Sequence, residues 1–257
     1  MKNWLWILVL VIAGCSGKPE TPRFTTEYIA LENPAAKGFN AAESDPMAIE
    51  IADEVMRAMG GRQAWDNTKI LQWTFFGRRV LTWNKHTGDV KIEFTNDSTT
   101  KYITNIYSGD GKALYKGLEI TDPDSLKIHL DDAKSIWIND SYWLVMPFKL
   151  KDSGVKLKYM KTDTASGGIP SHKLQLSFEN VGDTPENIYH VYVDTATNLV
   201  NQWDFFSDSS KVDPAFSTPW IDYQKYGEIL LSGNRVLAEL TNISVLENLP
   251  GNFFDDL

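Results

Sequence analysis

The chain has 257 residues, 42% of them hydrophobic, a formal net charge of −9 at pH 7 and one cysteine. This length and hydrophobic content exclude a mainly disordered chain and allow one large domain or two small ones. The acidic balance disfavours nucleic acid as a partner, because phosphate backbones are bound by clustered Lys and Arg. A single cysteine excludes an internal disulfide and a metal site built from several cysteines. The 12% of aromatic residues favours a sheet-rich protein or one that binds apolar ligands.

The N-terminus has the layout of a secretory signal. An apolar run from Trp4 to Ala13 follows a basic start and is too short to span a bilayer as a mature helix. It leads into Ile12-Ala13-Gly14-Cys15, which resembles the bacterial lipobox, in which the cysteine is acylated and becomes the new N-terminus. The resemblance implies a signal peptide at 1–14 and a bacterial membrane anchor at Cys15, because several acyl chains bind a bilayer almost permanently. Ser16 in place of Asp favours the outer membrane; the alternative is a plain secretory signal with an incidental cysteine.

The mature chain begins with a segment that has no sustained period. Residues 15–44 contain three prolines and are predicted to form a flexible tether. The folded domain is expected over 45–257. Ser44-Asp45-Pro46 predicts a helix start, and apolar residues at helical spacing continue to Met59, where Gly60-Gly61 ends the helix.

Short segments rich in β-branched and aromatic residues follow, and turn signals separate them. They predict an antiparallel meander with strands at Ile70–Phe76, Arg79–Asn84, Asp89–Thr95, Lys101–Tyr107 and Lys112–Tyr115. An amphipathic helix is predicted from Pro123 to about Asn139, and a second apolar stretch, Tyr142–Met146, ends at Pro147. Strands are predicted again at Val155–Met160, Lys173–Glu179, Ile188–Asp194, Leu199–Phe206, Tyr223–Leu231 and Arg235–Val245.

The register of the later hairpins follows from counting outward from their loops. A loop at Thr195–Asn198 pairs Tyr192 with Asn201 and His190 with Trp203. This register collects apolar side chains on one face, namely Leu174, Leu176, Phe178, Ile188, Tyr192, Trp203 and Phe205. A slip of one residue would turn the whole set outward, so the register is strongly specified.

A large sheet with one apolar face needs a cover, and the two predicted helices supply it. We therefore predict an α+β fold in which a large curved antiparallel sheet, an unclosed β-barrel, wraps around a helical lid. The alternatives are a closed barrel with helices outside it, or a second sheet packed on the first.

The segment Tyr142–Leu150, which reads YWLVMPFKL, resembles the LolA/LolB-like outer-membrane lipoprotein-sorting superfamily, where a similar Trp- and Pro-Phe-containing segment follows a helix. The strand Val191–Asp194, the segment Trp203–Phe205 and the segment Asp222–Leu231 also fit, so the resemblance covers roughly 46–250. It is greatest to a family of bacterial lipoproteins of this length. The resemblance implies an unclosed barrel with a helical lid around a cavity for acyl chains, in a membrane-anchored protein and not in a soluble shuttle.

The aromatic residues predicted to point inward exceed what one core of this size needs, which favours a cavity for an apolar ligand. We expect this ligand cavity to be lined by Trp73, Trp83, Trp137, Trp143, Leu176, Tyr192, Trp203 and Phe205. The expected function is binding of a lipid or an acylated protein by a monomeric outer-membrane lipoprotein, without catalysis, metal or cofactor. The alternatives are an envelope scaffold with a filled core and a hydrolase whose residues escape detection.

Two further sets of polar residues are candidate sites. His172, His190 and Asp194 would suit a metal site or a general base with its carboxylate. The sequence specifies no further metal ligand beside them, and histidines that are buried or lie at the rim of the sheet are the better explanation. A basic stretch suits lipid headgroups or an acidic partner, and equally an exposed strand that avoids edge pairing. It comprises Lys149, Lys151, Lys156, Lys158 and Lys161.

Overall fold

The architecture is α+β, as predicted. A computed structural model describes residues 32–179 and 181–257. The predicted signal peptide and Cys15 lie outside these residues. The described chain forms a large antiparallel sheet, a second antiparallel sheet and one long helix, and the two sheets do not join into a closed barrel within it.

Fourteen strands are present in the described chain. They are β1 (Ile70–Phe75), β2 (Arg79–Asn84), β3 (Asp89–Phe94), β4 (Asp97–Asn105), β5 (Gly111–Tyr115), β6 (Leu118–Glu119), β7 (Val155–Ala165), β8 (Ile169–Phe178), β9 (Ile188–Asp194), β10 (Val200–Phe206), β11 (Phe216–Pro219), β12 (Gln224–Tyr226), β13 (Ile229–Leu231) and β14 (Leu240–Leu246). The larger sheet has the order β14-β1-β2-β3-β4-β5-β6, the smaller one the order β11-β10-β9-β8-β7, and β12 and β13 form a separate hairpin. The single strand predicted over Tyr223–Leu231 is this hairpin, because Gly227 turns the chain with a φ of +59°.

Three α-helices accompany the sheets in the described chain: α1 (Pro46–Ala58), α2 (Arg62–Asn67) and α3 (Pro123–Val145). The side chain of Asp122 accepts a hydrogen bond from the Ser125 backbone N–H and so caps α3. α3 continues past the predicted end at Asn139, because no Gly or Pro interrupts it before Pro147. None of the helices described here is both long and apolar enough to cross a bilayer.

The pairing of β9 with β10 differs by one residue from the predicted register. A bulge lies between Val200 and Gln202, so Tyr192 pairs with Gln202 and not with Asn201. A bulge inserts one extra residue into one strand, which shifts every later pair. Tyr192 and Ile188 therefore lie on the opposite face of the sheet from the predicted one.

The rest of the predicted face is confirmed. Trp203 pairs with Val191, and Val191 pairs with Leu174, so these side chains share a face with Leu176. Tyr189 and Val191 occupy the positions expected for Ile188 and Tyr192 on this face. Trp203 is 1% exposed and Leu176 is fully buried.

One hydrophobic cluster joins both sheets and two helices. It contains Trp73 from the larger sheet, Trp203 from the smaller one, Val55 from α1 and Leu144 from α3. α3 contacts β4 and β5 of the larger sheet, and α1 contacts β7 of the smaller one. The rings of Tyr142 and Trp143 contact those of Tyr189 and Trp203, so the C-terminal end of α3 lies beside the smaller sheet.

The segment before α1 contacts the domain, although the sequence assigns it to the tether. The backbone N–H of Asn40 donates to the Val155 carbonyl, and that of Ala36 donates to the Lys151 carbonyl. The buried side chain of Asn33 donates to the Asp53 carboxylate at 2.7 Å. The Asn40 contact occupies part of the free edge of β7, so residues before Asp45 pack against the sheet.

Candidate functional site

A cavity of about 720 Å³ lies between the C-terminal half of α3, the strands β9 and β10, and the loop that follows β8. Its volume is in the range of small-molecule binding sites. Ser135, Asn139 and Asp183 line it and are exposed, so the cavity opens to solvent on their side.

The inner wall of the cavity is aromatic, and we call it the aromatic floor. Its members are Trp137, Tyr142, Trp143, Phe178, Tyr189, Trp203, Phe205 and Phe216. Trp203 lies among them, with ring centroids 4.9 Å from Trp143, 5.0 Å from Tyr189 and 5.7 Å from Tyr142. These are the separations of stacked and edge-to-face aromatic pairs, so the rings support one another while leaving space beside them.

Half of the side chains predicted to line the cavity are found there. Trp137, Trp143, Trp203 and Phe205 line it. Trp73 and Leu176 are buried in the core, and Trp83 lies behind the floor with its ring 5.2 Å from that of Trp137. Tyr192 lies on the opposite face of the smaller sheet, where its hydroxyl donates to the Asp204 carboxylate at 2.9 Å.

Four members of the aromatic floor are absent from the predicted set: Tyr142, Phe178, Tyr189 and Phe216. Tyr142 follows Ile138 by four residues. A predicted helix that continued past Asn139 would therefore have placed both residues on one helix face. Tyr189 would have been found with the correct register. Among the described residues the buried Tyr142 hydroxyl has no hydrogen-bond partner, and burial raises its pKa well above the usual value.

α3 is held against the larger sheet by a buried ion pair. The Arg79 guanidinium donates to both Asp140 carboxylate oxygens, at 2.8 and 3.0 Å. Asp140 is 0% exposed. Its burial raises the pKa of the Asp140 carboxyl, and the hydrogen bond from Arg79 opposes this effect. The pair orients the helix segment that carries the cavity-lining residues Asn139 and Ser141.

A buried arginine holds the C-terminal end of the same helix. Arg235 Nη2 donates to the Trp143 carbonyl at 2.6 Å, and its guanidinium lies 3.6 Å from the centre of the Trp220 ring. Burial lowers the pKa of Arg235 to about 9. The free carbonyls at a helix C-terminus carry partial negative charge, so this end of α3 favours a cation. Nothing in the local sequence pattern reveals this contact.

The charged groups that line the cavity lie at its mouth. Lys149 Nζ is 2.5 Å from an Asp152 carboxylate oxygen, and the Asp183 carboxylate accepts a hydrogen bond from the Ser135 hydroxyl. Ser135, Asn139, Lys149, Asp152, Asp183 and Asn187 form this rim, which we call the polar mouth.

The predicted basic stretch is largely neutralised. Besides the Lys149–Asp152 pair, three of its lysines face carboxylates: Lys151 with Asp53, Lys156 with Glu43 and Lys161 with Asp163. Lys158 is exposed. The stretch is therefore a set of ion pairs and not a continuous basic surface.

The two histidines of the candidate metal or general-base site lie on opposite faces of the smaller sheet. His172 shares the face of Leu174, whereas His190 pairs with Gln175 on the other face. Their side chains therefore cannot meet. No group of three or more potential metal ligands is found among residues 32–179 and 181–257.

Acidification should destabilise the fold through His190. Burial lowers the pKa of His190 to about 4, with the nearby Lys173 adding to the effect. Between pH 6.5 and 4 the unfolded chain binds a proton that the folded chain does not, so stability is complete above the unfolded pKa and falls as the pH drops. His190 is only half-buried, so solvent screening reduces the effect, and we expect His190→Gln to remove about 1–2 kcal/mol of the stability lost between pH 7 and pH 4.

This prediction is checked by urea unfolding of both proteins across that pH range. His86→Gln, at an exposed position, controls for the loss of a histidine elsewhere. Identical pH profiles for His190→Gln and the unmodified chain would contradict the assignment.

Comparison with known proteins finds similarity in structure alone. No protein-family model matches the chain, and no curated protein matches its sequence. A DUF1329 family protein from Desulfovibrio piger is similar over 80% of this chain and 96% of its own, with a TM-score of 0.45 and 13% identity. A domain from Vibrio parahaemolyticus that is assigned to outer-membrane lipoprotein sorting is similar over 81% of this chain and 96% of its own, with a TM-score of 0.44 and 10% identity.

A LolA superfamily protein from Nitrosomonas europaea is similar over 79% of this chain and 96% of its own, with a TM-score of 0.39 and 6% identity.

Proposed function

We propose that this protein binds a hydrophobic ligand, a lipid or the acyl part of an acylated protein, in the cavity beside α3, and does so without catalysis. The observation that carries the proposal is a solvent-open space of about 720 Å³ with an aromatic floor. Small-molecule sites are typically concave spaces of this size with largely apolar and aromatic walls. A space of this size therefore favours ligand binding over a scaffold with a filled core.

The location proposed for this activity is the bacterial envelope. The signal peptide at 1–14 and the acylated Cys15 would place the protein on a membrane, and Ser16 favours the outer membrane. The residues after Cys15 would link this anchor to the domain, and the protein would act as a monomer. The ligand would then be taken from, or delivered to, the membrane that holds the anchor.

The proposal is tested by titrating the protein with N-phenyl-1-naphthylamine, an apolar dye that fluoresces when it leaves water. We expect saturable binding that excess monopalmitoylglycerol displaces. Asn139 lines the cavity and is exposed, so Asn139→Trp should fill the mouth and weaken binding at least about tenfold.

Asp132→Trp adds the same side chain at an exposed position of α3 that does not line the cavity, and should bind like the unmodified protein. Absence of saturable dye binding, or equal binding by the two tryptophan variants, would overturn the proposed function.

A further inference from the structure

The size of the cavity limits how much ligand it holds. A methylene group occupies about as much room as a water molecule, whose share of the liquid volume is ~30 Å³. A space of about 720 Å³ therefore holds about two dozen such groups. One chain of about sixteen carbons with a small headgroup matches this volume.

The lining sets the orientation of such a chain. The aromatic floor lies inward apart from Phe216, which is 38% exposed, and Trp203 is 1% exposed. The polar mouth lies outward, where Ser135, Asn139 and Asp183 are exposed. Burial of apolar surface places the chain on the floor and leaves the headgroup at the mouth, next to hydroxyl, amide and carboxylate groups.

The charges at the polar mouth determine which headgroup charge is favoured there. The cation that lines the cavity, Lys149, is already paired with Asp152 at 2.5 Å. Asp183 adds a further negative charge, and the segment 181–187 that carries it also contains Glu186 but no Lys or Arg. An anionic headgroup would face this surplus of negative charge without a free cation among the lining residues of the described chain.

From this arrangement we propose that the cavity takes one single-chain amphiphile per protein and selects a neutral or cationic headgroup over an anionic one. This inference rests on the ligand-binding function proposed above and names the class of ligand. Asp183 is the specificity-determining residue, since it is the lining carboxylate that has no cationic partner in the part of the chain that the structure describes.

The test compares two amphiphiles with the same palmitoyl chain, the neutral monopalmitoylglycerol and the anionic palmitoyl lysophosphatidate, each below its micelle concentration. Both compete with N-phenyl-1-naphthylamine for the full chain. We expect the neutral compound to bind at least about tenfold more tightly. Asp183→Asn should narrow this ratio about two- to fivefold, the effect of one exposed charge.

Glu119→Gln is the matched control, because it removes an exposed carboxylate on β6, away from the cavity, and should leave the ratio unchanged. Native mass spectra should show one monopalmitoylglycerol per protein. Equal affinities, tighter binding of the anion, an unchanged ratio in Asp183→Asn or two bound chains would overturn the inference. In each of these cases the dye still binds and the proposed function stands, whereas loss of dye binding overturns both.

Discussion

Replacing Trp203 by Ala should lower the free energy of unfolding by about 3–5 kcal/mol. The side chain is 1% exposed and lies against the rings of Tyr142, Trp143, Tyr189 and Trp220. Its removal takes away buried apolar area and leaves a cavity that these large rings cannot fill without leaving their own positions. Urea unfolding at constant pH measures the loss.

Trp203→Phe is the control, because it keeps an aromatic ring at the same position and should cost clearly less than Trp203→Ala. Substitutions at exposed positions usually cost less than about 1 kcal/mol, so a loss this small for Trp203→Ala would contradict the prediction. Such a result would show that this face of β10 is not buried, and would remove the floor of the proposed cavity.

Asp140→Ala should also cost about 2–4 kcal/mol, because it leaves the partly buried Arg79 guanidinium without its carboxylate. The effect extends to ligand binding, since α3 carries Asn139 and Ser141 at the cavity. We therefore expect weaker dye binding in this variant, in addition to the lower unfolding free energy.

Asp131→Ala is a matched control on the same helix. Its ion pair with Lys127 is exposed, so the expected loss is below about 0.5 kcal/mol. The double variant Arg79→Met with Asp140→Leu replaces both charges with apolar side chains and should regain most of the stability. Equal losses for Asp140→Ala and Asp131→Ala would mean that the buried pair does not hold α3.

Local patterns predicted the elements whose signals lie within the element itself. The bounds of β2 and β9 agree with the prediction, and α1 begins at Pro46 as the Ser-Asp-Pro sequence indicates. Leu174, Leu176 and Phe178 lie on one face as predicted, and so do Trp203 and Phe205, because alternation along one strand is a local property.

Features that depend on distant parts of the chain were missed. The bulge between Val200 and Gln202 changes the partner of every later residue on β10. No residue type in the adjacent loop predicts this bulge. The segment before α1 looks like a linker by composition, yet its backbone finds partners on β7, more than a hundred residues away.

In the site too, local sequence signals were predictive and contacts between distant residues were not. Trp137, Trp143, Trp203 and Phe205 were predicted from their aromatic character and spacing. The groups that position α3 were not, because Asp140 lies 61 residues from Arg79, and the Trp143 carbonyl lies 92 residues from Arg235. Such pairs arise from the fold and leave no periodic signal along the sequence.

A crystal structure of the protein with a monoacylglycerol brominated at the end of its chain tests the central claim most directly. We expect the bromine to scatter from within the cavity, in contact with Trp203 and Phe205, with the glycerol at the polar mouth near Asn139. A cavity closed by its own aromatic side chains, with bromine bound elsewhere or not at all, would contradict the account.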